Sequence, residues 1–348
     1  MSEGRSLFVV VNRAAARARG AWPRVREALA GGGVRFEAHE SVVPGETERR
    51  TRGALSEGFE TVAVVGGDGT LSAAASGYFH PFADAREGER PRPVNPAAAL
   101  AVLPAGTGDD FARGLTRGRR EPLDAWVARL LKHCRGDRER ADGTGGAGGR
   151  PDSTRAVDVL ACEVDGGARR EVGGGAVRFV CLNALTLGIG AEVAARVAAQ
   201  GGGWRRLPGE ARFGWAAVQA LAAWRDRRVR IEVDGAAWAE CRTNLIAVVN
   251  GPFAGGGMNF SPAADIGDGL LDALTVCGIS RAELVRELLR VHRGGHLANP
   301  KVRLTRGTRV HIQTLGGDPP LGVEADGDVR GRTPAEFRLV PSALRVVF

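Results

Sequence analysis

The 348 residues are enough for two domains of ordinary size. An apolar content of 43% with 25% charged residues is that of a soluble globular protein, which excludes a disordered chain, and no apolar run approaches the roughly 20 residues of a membrane span. The net charge of +8 comes from scattered arginines, with Lys132 and Lys301 the sole lysines and a single Tyr; this excludes a phosphate-gripping P-loop lysine and a basic stripe interleaved with stacking aromatics, so no nucleic-acid partner is expected.

In chain order, residues 7–12, 34–41, 61–65 and 98–103 read as strands, with helices at 21–30, 45–55 and 71–79 between them. This alternation predicts an α/β domain, a largely parallel sheet with helices on both faces whose ligands sit at the carboxyl ends of the strands. The apolar run 7–11 is too short for a secretory segment, so a cytoplasmic protein is expected. Residues 121–134 read as an amphipathic helix, and the glycine-rich stretch 136–154 reads as a loop or linker. Beyond it, short period-two runs at 156–164, 178–187, 229–234, 244–250, 270–276, 302–304 and 309–313 predict a mainly antiparallel β-sandwich domain. Helical stretches at 211–224 and 281–291 interrupt it. The expected domains are 1–135 and 155–332, with about 333–348 returning to the first. The five cysteines are too far apart for a metal knuckle and are expected as reduced thiols; glycines between His292 and His296 argue against zinc there.

Two segments carry chemistry. Gly66-Gly67-Asp68-Gly69-Thr70 follows the apolar run 61–65 and opens a helix. Glycine lets the backbone approach an oxyanion, and a helix N-terminus offers unpaired amides and the positive end of its dipole. Residues 103–113, Leu-Pro-Ala-Gly-Thr-Gly-Asp-Asp-Phe-Ala-Arg, repeat the design after another apolar run. Two successive turns of this kind point to nucleotide phosphates. Farther on, Asp265-Ile266-Gly267-Asp268-Gly269 is a tight acidic turn, and Glu324, Asp326 and Asp328 would share one face of an extended strand.

With Asn183–Ala191, Asn250-Gly251, Gly255–Gly257 and Thr333-Pro334 in the same order, these segments resemble the diacylglycerol kinase catalytic domain family in its soluble bacterial lipid-kinase form. The resemblance runs from Leu7 to Phe348 and implies a fold like that of NAD kinases and diacylglycerol kinases. It implies ATP between the domains, on Asn12, Ser41, Gly66, Gly67, Asp68, Gly69, Thr70, Thr107 and Asp110. It implies Mg²⁺ at Asp268 with the main-chain carbonyls of Asp265 and Leu270, where hard cations find several oxygens in a short loop. The catalytic carboxylate falls in Asp326-Gly327-Asp328, with Asp328 where the family usually carries Glu. The first strand departs too, running Asn12-Arg13-Ala14-Ala15 in place of Asn-Pro and a glycine turn, so Arg13 or Arg17 is expected to offer guanidinium to phosphate. The implied activity is phosphorylation of the hydroxyl of diacylglycerol or a related lipid alcohol. A kinase for a sphingoid-like or other small alcohol and a nucleotide-binding pseudokinase are the alternatives. Implied partners are the lipid substrate, a transient membrane-surface contact for which 211–224 is the candidate, and, optionally, a second copy in a homodimer.

Overall fold

Fully buried strands read as unbroken apolar runs, and such runs pair in parallel when helices cover both faces of a sheet. In the computed structural model, which describes residues 7–43, 45–86, 88–141, 153–167, 175–201 and 209–348, the chain divides into two units. The first comprises Met1–Val159 and Val340–Phe348, the second Leu160–Leu339.

The first unit is built on β1 (Leu7–Asn12), β2 (Phe36–Ser41), β3 (Thr61–Gly66) and β4 (Ala99–Pro104). All are parallel, in the order β4-β3-β1-β2, with Thr61 of β3 opposite both Leu7 and Ala99. The end of the chain adds a fifth parallel strand, Arg345 standing opposite Ala99. Helices α1 (Ala16–Gly31), α2 (Glu46–Ser56), α3 (Asp68–Tyr78), α4 (Asp110–Leu115) and α5 (Leu123–Ala141) complete the unit. The step from β1 to β2 runs opposite to the step from β2 to β3, so right-handed crossovers place α1 and α2 on opposite faces. On α1, Ala18, Trp22, Val25 and Leu29 form the buried stripe. Helix α5 runs through residues 136–141, assigned above to the loop; the rest of the expected loop up to 152 lies outside the described residues.

The second unit is antiparallel. Its strands are the end of β5 (Thr154–Asp165), β6 (Ala176–Cys181), β7 (Ala184–Gly188), β8 (Arg227–Val233), β9 (Ala236–Val249), β10 (Phe253–Ala254), β11 (Met258–Asn259), β12 (Leu271–Cys277), β13 (Val302–Gly307), β14 (Arg309–Thr314), β15 (Gly322–Ala325) and the first part of β16 (Asp328–Val347). The long strand β9 pairs with β7, β8 and β12 and separates two cores by simple alternation. Ile246 and Val248 face a core shared with β8, β14, β15 and β16, while Leu245, Ala247 and Val249 face helices α6 (Ile189–Ala199), α7 (Gly209–Ala223) and α8 (Arg281–Val291).

Two expectations are corrected here. The run 178–187 is not one strand but two, broken at Leu182 and Asn183, and no glycine or proline marks the break. The cysteines are not all reduced: Cys241 and Cys277, on neighbouring strands β9 and β12, form a disulfide, whereas Cys134, Cys162 and Cys181 are free and buried.

Candidate active site

The expected nucleotide residues end adjacent parallel strands of the first unit. Ser41 closes β2 beside Asn12 of β1, and Gly66 closes β3 beside Pro104 of β4. The Asn12 amide donates to Thr70 Oγ1 at 2.9 Å, tying the first strand to the glycine turn. Its Oδ1 accepts from the amides of Ala14 and Ala15 at 3.0 and 3.3 Å. This Asx turn holds the β1–α1 bend in the absence of proline and glycine.

Gly67 caps α3 without a side-chain hydrogen bond, and the helix begins at Asp68, three residues earlier than the sequence pattern indicates. The first amides of a helix have no carbonyl within the helix to bond, and with the positive end of the dipole they make the start of α3 suited to an anion. A Cβ on Gly67 would stand 3.0 Å from Gly106 Cα, and one on Gly106 would stand 2.6 Å from Gly67 Cα. The two glycine turns therefore meet backbone to backbone, a requirement additional to the phosphate approach that motivates glycine in the sequence.

Carboxylates and guanidinium groups lock this contact. Asp68 Oδ1 accepts from the amide of Phe111 at 3.1 Å, and Asp109 Oδ1 accepts from that of Gly106 at 2.8 Å. Asp109 takes the left-handed conformation (φ 52°), and burial, reinforced by the charge of Asp68, holds its carboxyl above the usual range. Arg17 donates to the Gly106 carbonyl at 2.9 Å and Arg120 to the Thr107 carbonyl at 2.7 Å. Arg13 pairs with Glu40 at 3.0 Å. Arg17 thus braces the second turn, and Arg13 is held by Glu40 of β2. The part played by Arg120 was missed, because only the folded turn brings it to Thr107. Asp110 is buried at the start of α4.

In the second unit the acidic triplet forms a hairpin. Asp326 (φ 47°) and Gly327 (φ 99°) make the turn between β15 and β16, with Ala325 opposite Asp328. The extended strand with three carboxylates on one face does not exist. Asp326 instead turns back on the break between β6 and β7. Its carboxylate accepts from the amides of Leu182 (3.0 Å), Asn183 (3.3 Å) and Ala184 (3.1 Å). Asn250 donates to the Leu182 carbonyl at 3.0 Å, and Asn183 to the Phe253 carbonyl at 2.8 Å. The break in the strand is thus the feature that supplies Asp326 with donors. Asp328 is 75% exposed and lies 3.4 Å from Arg330. Glu324 accepts from Thr186 Oγ1 and from the Gly327 amide, each at 2.5 Å. Burial, with the charges of Asp326 and Asp328 nearby, pushes its carboxyl up to about 7.

In the expected magnesium loop, Asp268 Oδ1 accepts from the Leu270 amide at 3.0 Å while its Oδ2 pairs with Arg306 at 2.6 Å. Arg306 also pairs with the buried Asp272 at 3.1 Å and donates to the Ala263 carbonyl at 3.3 Å. The oxygens are of the right kind for Mg²⁺, but a guanidinium occupies the carboxylate, and the loop as built does not fit a divalent cation. Among the described residues there is no group of three or more His, Cys, Asp or Glu that could hold a metal ion.

Residues 6–142 match the diacylglycerol kinase catalytic domain family, and residues 185–348 match the YegS C-terminal NAD kinase beta sandwich-like domain. The chain therefore belongs to the diacylglycerol kinase family of lipid kinases, phosphotransferases with an alcohol group as acceptor. It is 25% identical over 318 residues to a "Probable lipid kinase YegS-like" protein of Stenotrophomonas maltophilia, covering 91% of this chain and 87% of that one. It is 27% identical over 295 residues to a diacylglycerol kinase of Mycobacterium tuberculosis, covering 84% and 78%. The fold is similar to the crystal structure of a diacylglycerol kinase from Bacillus anthracis, at 16% identity and a TM-score of 0.62, covering 100% of this chain and 98% of the other.

Proposed function

We propose that the chain transfers the γ-phosphoryl group of ATP to the hydroxyl of diacylglycerol or a closely related lipid alcohol. One observation carries this reading: the two glycine turns interlock at the ends of adjacent parallel strands, so the leading amides of α3 gather beside Asn12, Ser41, Thr70 and Thr107. An array of fixed main-chain donors suits a triphosphate and stabilises charge without reorganisation. Mg²⁺ bound with the triphosphate would neutralise the phosphate oxygens, with Asp68 and Asp110 the carboxylates to hold it. The loop at Asp265, Asp268 and Leu270 would take the ion only with Arg306 displaced from Asp268.

Asp328 is assigned as the base. Its carboxylate is exposed, whereas Asp326 is held by three amides and positions the hairpin. Asp328 takes the proton of the acceptor hydroxyl as the oxygen bonds to phosphorus and ADP departs. The test is Asp328→Asn, assayed for transfer of labelled phosphate to diacylglycerol in mixed micelles alongside calorimetric titration with an ATP analogue. Lost transfer with retained nucleotide affinity supports the assignment; full transfer contradicts it. Among the described residues no helix is long and apolar enough to cross a membrane; a lipid acceptor lies in a bilayer, so the enzyme is placed at a membrane surface when it meets its substrate.

A further inference from the structure

Five of the eight exposed large apolar side chains among the described residues lie on two helices of the second unit: Trp215 and Val218 on α7, and Val285, Leu288 and Leu289 on α8. Ala216 and Ala220 of α7 and Leu284 and Val291 of α8 pack into one core on the same face of the sheet, so the outer sides of both helices look the same way. The sequence pattern puts Leu288 on the inner side of α8 with Leu284 and Val291. In the structure Leu284, Glu287 and Val291 are buried, while Val285, Leu288 and Leu289 form a second stripe spaced i, i+3, i+4 in solvent, with Leu289 75% exposed. Helix α7 likewise divides between the buried Ala216 and Ala220 and an outward Trp215.

Charge identifies the occupant of this face. Residues 279–293 carry four arginines against two glutamates, and residues 209–228 four arginines against two acids. Both α8 glutamates are engaged, Glu283 with Lys301 at 2.8 Å and Glu287 with Arg290 at 3.1 Å. Between the end of α7 and the start of α8 lies a cleft of about 400 Å³ lined by Trp224, Arg225, Asp226, Arg242, Asn244 and Arg281. Asn244 is 4% exposed, and neither its Oδ1 nor the buried indole nitrogen of Trp224 has a hydrogen-bond partner. A buried donor and acceptor left unmade are costly, so the wall of the cleft carries polar atoms that its own packing leaves unsatisfied. Arg281 donates to the Trp224 carbonyl at 2.9 Å and Arg242 to the Asp226 carbonyl at 3.1 Å, but each guanidinium has further donors, and three arginines against the single Asp226, whose carboxyl burial raises, suit a phosphate. A second copy of the chain fits poorly, because a two-fold contact would bring arginine against arginine.

We propose that the outer face of α7 and α8 seats the enzyme on an anionic bilayer, with the apolar stripes inserted and the cleft receiving a glycerophosphate headgroup. The inference rests on the lipid-kinase reading for its biological sense, but its test is separable. Vesicles of phosphatidylglycerol or phosphatidylcholine are sedimented with wild type, Leu289→Glu and Arg281→Gln, in low and high salt. Transfer to short-chain diacylglycerol dispersed without vesicles is measured in parallel. The expected result is salt-sensitive binding to phosphatidylglycerol alone, weakened at least tenfold by Leu289→Glu and severalfold by Arg281→Gln, with unaltered transfer to the dispersed substrate. Quenching of tryptophan fluorescence by brominated lipid should fall in a Trp215→Phe variant. Equal binding to both lipids, or undiminished binding of Leu289→Glu, would overturn the proposal. So would a wild-type dimer that Leu289→Glu converts to monomer. Vesicle binding that behaves as expected without any transfer to diacylglycerol would sustain the docking face and refute the acceptor assignment.

Discussion

At the hairpin turn, two aspartates two residues apart face opposite demands. Asp326 accepts three main-chain amides, whereas Asp328 stands 75% exposed. Replacing Asp326 with Asn turns an amide donor toward those amides, and the expected loss is about 1–3 kcal/mol of stability. Asp328→Asn should leave the melting temperature unchanged and lower kcat by roughly 10²- to 10⁴-fold, as for loss of a general base. Calorimetry and turnover on both variants separate a positioning residue from a base; a reversed pattern would exchange the roles. Glu324 adds a pH signature. Its carboxyl is raised to about 7 from an ordinary 4.5, so its contribution to stability is fully present below about pH 4.5 and is lost as pH rises through about 7. Chemical denaturation at pH 5 and pH 8 should show a smaller difference in Glu324→Gln than in wild type, and an identical difference would reject the buried, raised carboxyl. Glu324, Asp326 and Asp328 are visible in the sequence as a cluster. Their geometry is not, because alternation within a strand and a two-residue turn give the same spacing, and the deciding partner lies at residues 182–184.

The strand-turn-helix elements of the first unit were legible because each strand is a continuous apolar run followed by glycine or a polar turn. What the pattern hides is that Gly67 and Gly106 touch. Gly67→Val should therefore abolish ATP binding and also destabilise the unit, by about 1–3 kcal/mol as expected of overpacking. Undiminished affinity for an ATP analogue would move the nucleotide elsewhere. The Asp265–Leu270 loop shows the opposite limit. Its acidic spacing reads as a cation loop, yet Arg306, remote in sequence but on the strand that pairs with β12, fills the carboxylate side at 2.6 Å. Removal of Mg²⁺ with a chelator should not change the melting temperature of the wild type. Arg306→Ala should lower stability by about 1–3 kcal/mol, since Asp272 is left buried without its partner, and Mg²⁺ should restore part of that loss. A wild type that melts earlier in chelator would show that the ion displaces Arg306.

For the molecule as a whole, composition and periodicity were sufficient to indicate a parallel α/β part and an antiparallel part, while long-range pairings stayed out of reach. The disulfide between Cys241 and Cys277 is one: thirty-six residues separate the two cysteines, and only the pairing of β9 with β12 makes them neighbours. The apolar outer stripe of α8 is another, since a sequence shows amphipathicity but not which leucines the sheet covers. Family relationships make the chain a lipid kinase, and the acceptor with the residues that serve it is the central claim. The most direct measurement is transfer from γ-labelled ATP to diacylglycerol in mixed micelles, with a sphingoid base and a water-soluble alcohol as competitors and Asp328→Asn as control. The account predicts labelled phosphatidate, formed in preference to the other products and abolished in the variant. ATP binding with no labelled lipid, or label appearing on the soluble alcohol instead, would contradict it.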